Sequence, residues 1–147
     1  MPHATIHACT APCGAYHGRM LVNVCIAKLH RATVTDADLN YVGSITIDEA
    51  ILDASGLMPG QMVQITNVSN AVLWRTYIVK GAKGKGEIVL NGPPARLFQN
   101  GDKVIVLGEA WVEDKEAAKM GGPTVVFFEE KAGNPNAIKE VKKGWRA

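Results

Sequence analysis

The stretch "NYVGSITIDEA", Asn40 to Ala50, sets a Gly-Ser pair between an apolar Tyr-Val and an alternating Ile-Thr-Ile. The alternation reads as a short strand, "SITID". Gly43 can take backbone angles that other residues avoid, and so permits a sharp or strained bend. Ser44 puts a hydroxyl beside the carbonyl that precedes it. A strand beginning after a turn is the simplest reading. Downstream, "DEAILDASG" reads as a short helix, with acids at its start and Gly56 as its stop.

Working outward, short apolar runs alternate with turn signals. "LVNVCIAKL", "QMVQITNV", "VLWRTYIV", "EIVLNG", "DKVIVLGEAWV" and "TVVFFEE" are rich in Val, Ile, Thr and aromatics and are expected as strands. "TDADL" reads as a turn or a single helical turn, "PPARLF" as a short helix with Pro in its first turn, and "KAGNPNA" as a turn. Many short strands spaced by Gly-rich turns point to a mainly β fold, a closed barrel with short helices rather than a doubly wound sheet. There is no internal repeat.

Composition narrows the function classes. The 147 residues are 47% hydrophobic and 20% charged with a net charge of +2, the balance of an ordinary soluble domain. Such a charge argues against nucleic-acid binding, which needs clustered Lys and Arg. No apolar run approaches the roughly 20 residues of a membrane-spanning helix. Three cysteines make no disulfide framework, so a cytoplasmic location is expected. Residues 1–19 lack the apolar core of a signal peptide and are expected to be a disordered extension. His7, Cys9, Cys13 and His17 within them are soft ligands of the kind zinc takes, but their spacing is weak and no metal is expected. Residues 20–130 are expected to form the folded domain and 131–147 a tail.

The common enzyme signatures, GxGxxG, the P-loop lysine motif, HExxH and GxSxG, are all missing from the chain. Another pattern is present. "KLHRATVTDADLNYVGSITID", then "NVSNAVLWRTYIV" and "LNGPPARLFQNGDKVIVL", resembles the pyruvoyl-dependent aspartate 1-decarboxylases, in register over about residues 20–130. The resemblance implies a small double-psi β-barrel and homotetramers with active sites between subunits. It also implies that the Gly43–Ser44 bond breaks itself. The Ser44 hydroxyl attacks the Gly43 carbonyl, the resulting ester eliminates, and hydrolysis leaves a covalent pyruvoyl group at position 44. In the family that group forms a Schiff base with L-aspartate, which loses CO2 to give β-alanine, a precursor of pantothenate.

Single residues follow from the same resemblance. Thr76 assists self-cleavage and Tyr77 delivers the proton to Cα; taken alone, the pair is simply good strand composition. Lys28 holds a substrate carboxylate, where otherwise it reads as a solvated strand-end lysine. Asn91 orients the substrate or the pyruvoyl group, where otherwise it reads as a turn former. Tyr41 packs beside the cleavage point. The chain departs from the family twice. Leu73 stands where an arginine clamps a carboxylate, and Arg75, two residues on and on the same face, either substitutes for it or is merely exposed. Pro93 and Pro94 replace residues with backbone N–H groups to donate. Two alternatives therefore stay open: a pyruvoyl decarboxylase of another amino acid, or an unprocessed barrel without enzymatic activity. Cleavage is either spontaneous or helped by a maturation factor.

Overall fold

A computed structural model describes residues 18–145. Nine strands follow one another as β1 (Leu21–Thr33), β2 (Asp36–Asp38), β3 (Ser44–Asp48), β4 (Met62–Asn67), β5 (Leu73–Gly81), β6 (Ile88–Asn91), β7 (Lys103–Glu113), β8 (Thr124–Lys131) and β9 (Asn134–Lys142). Two short helices, α1 (Glu49–Ser55) and α2 (Asp114–Ala117), and a 3-10 turn at Pro93–Arg96 complete the order. The zinc-ligand candidates His7, Cys9, Cys13 and His17 lie outside the described residues.

The sheet runs β2-β6-β3-β5-β4-β7-β1-β8-β9. Because β2 continues β1 after a two-residue break, the run from β2 round to β1 closes on itself. Val34 bridges the gap on one side by donating to the Asp102 carbonyl at 2.8 Å, and Thr35 on the other by donating to Ile88 at 2.8 Å. Two parallel pairs, β2 with β6 and β3 with β5, flank the central antiparallel pair of β3 and β6. The fold is mainly β, a closed barrel with short helices.

Alternation fills the barrel. Leu29, Ile45, Ile47, Ile65, Ile78, Ile88, Leu90, Val104 and Val106 point inward and are fully buried, with Phe98 closing one end. Each such side chain contributes about 1.5–3 kcal/mol of transfer free energy. Arg31, at a φ of 60°, sits in the register shift between Leu29 and Ala32 that bends β1 round the core. The helix expected from "DEAILDASG" is α1. Asp48 caps it by accepting from the Ala50 N–H at 2.7 Å, and Gly56 ends it at a φ of 76°. The same buried carboxylate accepts from the N–H groups of Gly84 and Gly86, pinning the Lys-Gly loop before β6.

Two expectations are corrected. "TDADL" is not a turn or helical turn over its first residues: Asp36–Asp38 is an extended strand, paired in parallel with Val89, Leu90 and Asn91. "KAGNPNA" turns only at Ala132 and Gly133, and Asn134 already begins β9, so the stretch expected as a tail supplies a nine-residue strand. Pro135 disguised it, yet a proline is compatible with an edge strand, which β9 is.

Candidate active site

Ser44 is the first residue of β3, so the Gly43–Ser44 bond lies where loop becomes strand. Ser44 is 1% exposed and stands opposite Asn91 of β6. The Asn91 side-chain amide donates to Thr46 Oγ1 at 2.9 Å and lies 3.4 Å from Ser44 Oγ. The second contact is long and weak, so the serine oxygen is located without being tied up. Thr46 passed unnoticed as a site residue. Its position two after Ser44, on the same face, was the available signal.

The turn after β6 presses on the scissile bond from above. Gly92 has a φ of 75°, and a methyl group there would stand 2.9 Å from Gly43 Cα and 3.3 Å from both Gly43 N and the Tyr41 carbonyl oxygen. Gly43 does not have a positive φ, and a methyl group on it would meet only ordinary contacts, at 3.6 Å to the Asn91 oxygen and to Pro93 Cδ. The strained bend expected at Gly43 is therefore absent, and the residue that must be glycine is Gly92. The Gly92 N–H donates to the Asp38 carbonyl at 2.7 Å, tying this turn to the strand that leads into the 39–43 loop.

β5 runs parallel to β3, with Ile78 level with Ile45. Both isoleucines point into the core, so one step earlier Tyr77 and Ser44 share the outer face. Tyr77 is 40% exposed there. Thr76 turns the other way: it is opposite the buried Val63, and among the described residues no hydrogen-bond partner faces its hydroxyl. On the outer face a level row crosses four strands, Lys28 of β1, Leu107 of β7, Gln64 of β4 and Arg75 of β5. Counted through β5, β4 and β7, the strand that carries Lys28 is four places from β3. One chain thus sets Ser44, Asn91 and Tyr77 on neighbouring strands, and Lys28 on a strand that is paired with none of theirs.

Arg75 is committed elsewhere. Its guanidinium pairs with Glu109 Oε2 at 3.0 Å, and Asn23 donates to the same oxygen at 2.9 Å. Leu73 is exposed two residues before it. Beside β6 a cleft of about 370 Å³ is lined by Asp36, Asp38, Tyr41, Thr46, Glu87 and Asn91, among others. Lys80 also lines it, but three carboxylates against one ammonium leave it net acidic. No group of metal-ligating side chains occurs among the described residues.

A small barrel thus holds a buried serine after a glycine, with an asparagine amide on its hydroxyl and a tyrosine on the same strand face. Comparison with known proteins gives the chain its family. Residues 20–134 match the family model described as aspartate decarboxylase. The chain is 53% identical over 111 residues to the aspartate 1-decarboxylase of Carboxydothermus hydrogenoformans, covering 76% of this chain and 87% of that one. It is 50% identical over 112 residues to that of Flavobacterium psychrophilum, covering 76% and 96%. It is 57% identical over 91 residues to that of Bacillus subtilis, covering 62% and 72%. Among solved structures, a rationally designed protein superposes with a TM-score of 0.42 at 21% identity, over 62% of this chain and 98% of that one. The chain belongs to the aspartate decarboxylase family.

Proposed function

We propose that this chain is a self-processing decarboxylase that converts L-aspartate to β-alanine and CO2, with a pyruvoyl group made from Ser44. The observation that carries it is the Gly43–Ser44 junction, a buried serine oxygen 3.4 Å from an amide donor with the Gly92 backbone packed close to the attacked residue. Positioning of this kind replaces concentration in an intramolecular acyl shift. Ser44 Oγ bonds to the Gly43 carbonyl carbon, the C–N bond breaks, and the nitrogen takes the proton. Loss of the Ser44 Cα proton then expels the Gly43 carboxylate. One water enters and one ammonia leaves as the ketone forms, giving chains 1–43 and 44–147.

The site fits such a group, since the Asn91 amide lies 3.4 Å from the Ser44 oxygen at that position. Once formed, the group supplies a ketone that takes up the substrate amine and draws electrons from the Cα–carboxylate bond. The remaining work falls to side chains. The Tyr77 phenol, on the same face, is the donor that returns a proton to Cα. Asn91 orients the reacting end through its amide. Thr76, set on the opposite strand face, acts on the Gly43 carbonyl during processing, in keeping with the resemblance.

Lys28 binds a substrate carboxylate, and it does so across a subunit boundary. β1 is paired with none of the strands that carry Ser44, Asn91 and Tyr77, and the outer face carries exposed Val42, Met62, Leu73 and Tyr77, an apolar surface suited to burial against another copy. A homotetramer with shared sites meets both facts. Among the described residues no helix is long and apolar enough to cross a membrane. A cytoplasmic enzyme supplying β-alanine for pantothenate, matured alone or with a helper protein, completes the reading.

A second reading is favoured by the Glu109–Arg75 pair and by Leu73: with the arginine neutralised, the site takes a less acidic amino acid. Incubating the processed protein with an amino-acid panel decides. The account expects β-alanine from L-aspartate and less than a tenth of that turnover with other amino acids. Preferential release of another amine overturns it.

A further inference from the structure

The last described residue, Trp145, lies beyond the segment that matches the family model. It is nevertheless fixed. Its N–H donates to the Pro123 carbonyl at 3.1 Å. A methyl group on Gly122 would come within 2.6 Å of the Trp145 carbonyl oxygen, so the Gly121-Gly122-Pro123 stretch receives the chain end only because it lacks side-chain bulk there. The indole ring stands edge-on to Phe127, with centroids 6.4 Å apart and planes at 79°. Phe127 in turn meets the His30 ring at 5.4 Å and 64°. On the other side, the Lys28 ammonium lies 6.0 Å from the Trp145 ring centroid.

The contrast with Arg75 gives this contact its meaning. Arg75 is held by a carboxylate, which neutralises it. Among the described residues Lys28 has no carboxylate partner within ion-pair distance, and an aromatic face is what stands beside it. A π face attracts the ammonium without cancelling its charge, and restrains a four-carbon stem that otherwise samples many rotamers. The cation stays available to an incoming carboxylate.

We propose that Trp145 is a positioning residue that holds Lys28 ready for the substrate carboxylate, through an aromatic shelf completed by Phe127. The proposal rests on the reading of Lys28 given above. The test uses the full chain with Trp145→Leu and Trp145→Phe. The first arm needs no turnover: the Lys28 Cε proton resonances, assigned with Lys28→Arg, are shifted by the indole ring current and lose that shift in Trp145→Leu. The second arm is kinetic. Trp145→Leu is expected to raise KM for L-aspartate about three- to ten-fold, the range of an ordinary cation–π contact, while kcat changes less than two-fold. Self-cleavage stays complete, and Trp145→Phe restores most of the affinity. Unshifted Lys28 resonances overturn the proposal, as does an unchanged KM in Trp145→Leu. Absence of β-alanine formation by the wild-type protein sinks the aspartate reading instead, and the resonance arm then decides this one alone.

Discussion

A single added methyl group separates the two glycines at the cleavage point. On Gly92 it would strike Gly43 Cα at 2.9 Å and require a side chain at a φ of 75°, which costs about 1–3 kcal/mol. On Gly43 it would find space. Gly92→Ala is therefore expected to accumulate as an uncut chain with a Tm lowered by several degrees. Gly43→Ala is expected to melt within about 2 °C of the parent. Gel analysis and thermal melts on the two variants check both. The sequence points to the Gly-Ser pair through its flanking alternation, and Ser44 and Asn91 do meet. It misplaces the strain, because "LNG" reads as a generic turn until the strand pairing shows Gly92 lying against Gly43. Thr46 was legible from its parity with Ser44. That Arg75 faces Glu109, from a strand 34 residues away in sequence, was not.

At the scale of elements, β9 ties the last hairpin to the barrel through one buried residue. Asn136 accepts from the Thr33 N–H at 2.6 Å and donates to the carbonyls of Thr33 at 2.8 Å and Gly86 at 2.7 Å. Asn136→Ala leaves these groups buried and unpaired, and is expected to cost about 2–4 kcal/mol in urea unfolding with an unchanged m-value. The alternating core strands were readable from apolar periodicity. β9 was not, since its pattern is polar and its place comes from the edge it covers. On β1, His30 Nδ1 is buried without a hydrogen-bond partner. Burial, and then the nearby charges of Lys28 and Arg31, lower its pKa below the usual histidine value. The unfolded chain then binds the proton more readily, so His30 favours folding above about pH 6.5 and that contribution is lost as pH falls through its folded value. Tm is expected to fall between pH 7 and pH 5, with a shallower slope in His30→Leu. Equal slopes would remove His30 as the cause.

For the whole molecule, the placing of Lys28 on a strand paired with none of those that carry Ser44, Asn91 and Tyr77 leads to the expectation that a working site draws on two chains. A Lys28→Ala chain and a Ser44→Ala chain, each inactive alone, are expected to recover activity when expressed together, because some mixed sites then hold one intact partner of each kind. No recovery would mean that both residues serve the same site from one chain. The barrel itself was legible as a strand-rich chain with short turns. Closure was expected, but the way it is made was not legible, because it depends on a two-residue break at Val34 and Thr35 that no local pattern marks. All of this presupposes that the chain cuts itself, and an intact mass spectrum of the purified protein tests that most directly. The account predicts two species, residues 1–43 and residues 44–147, the latter beginning with a pyruvoyl group in place of Ser44. A single unmodified chain that persists on prolonged incubation with candidate maturation proteins would contradict it.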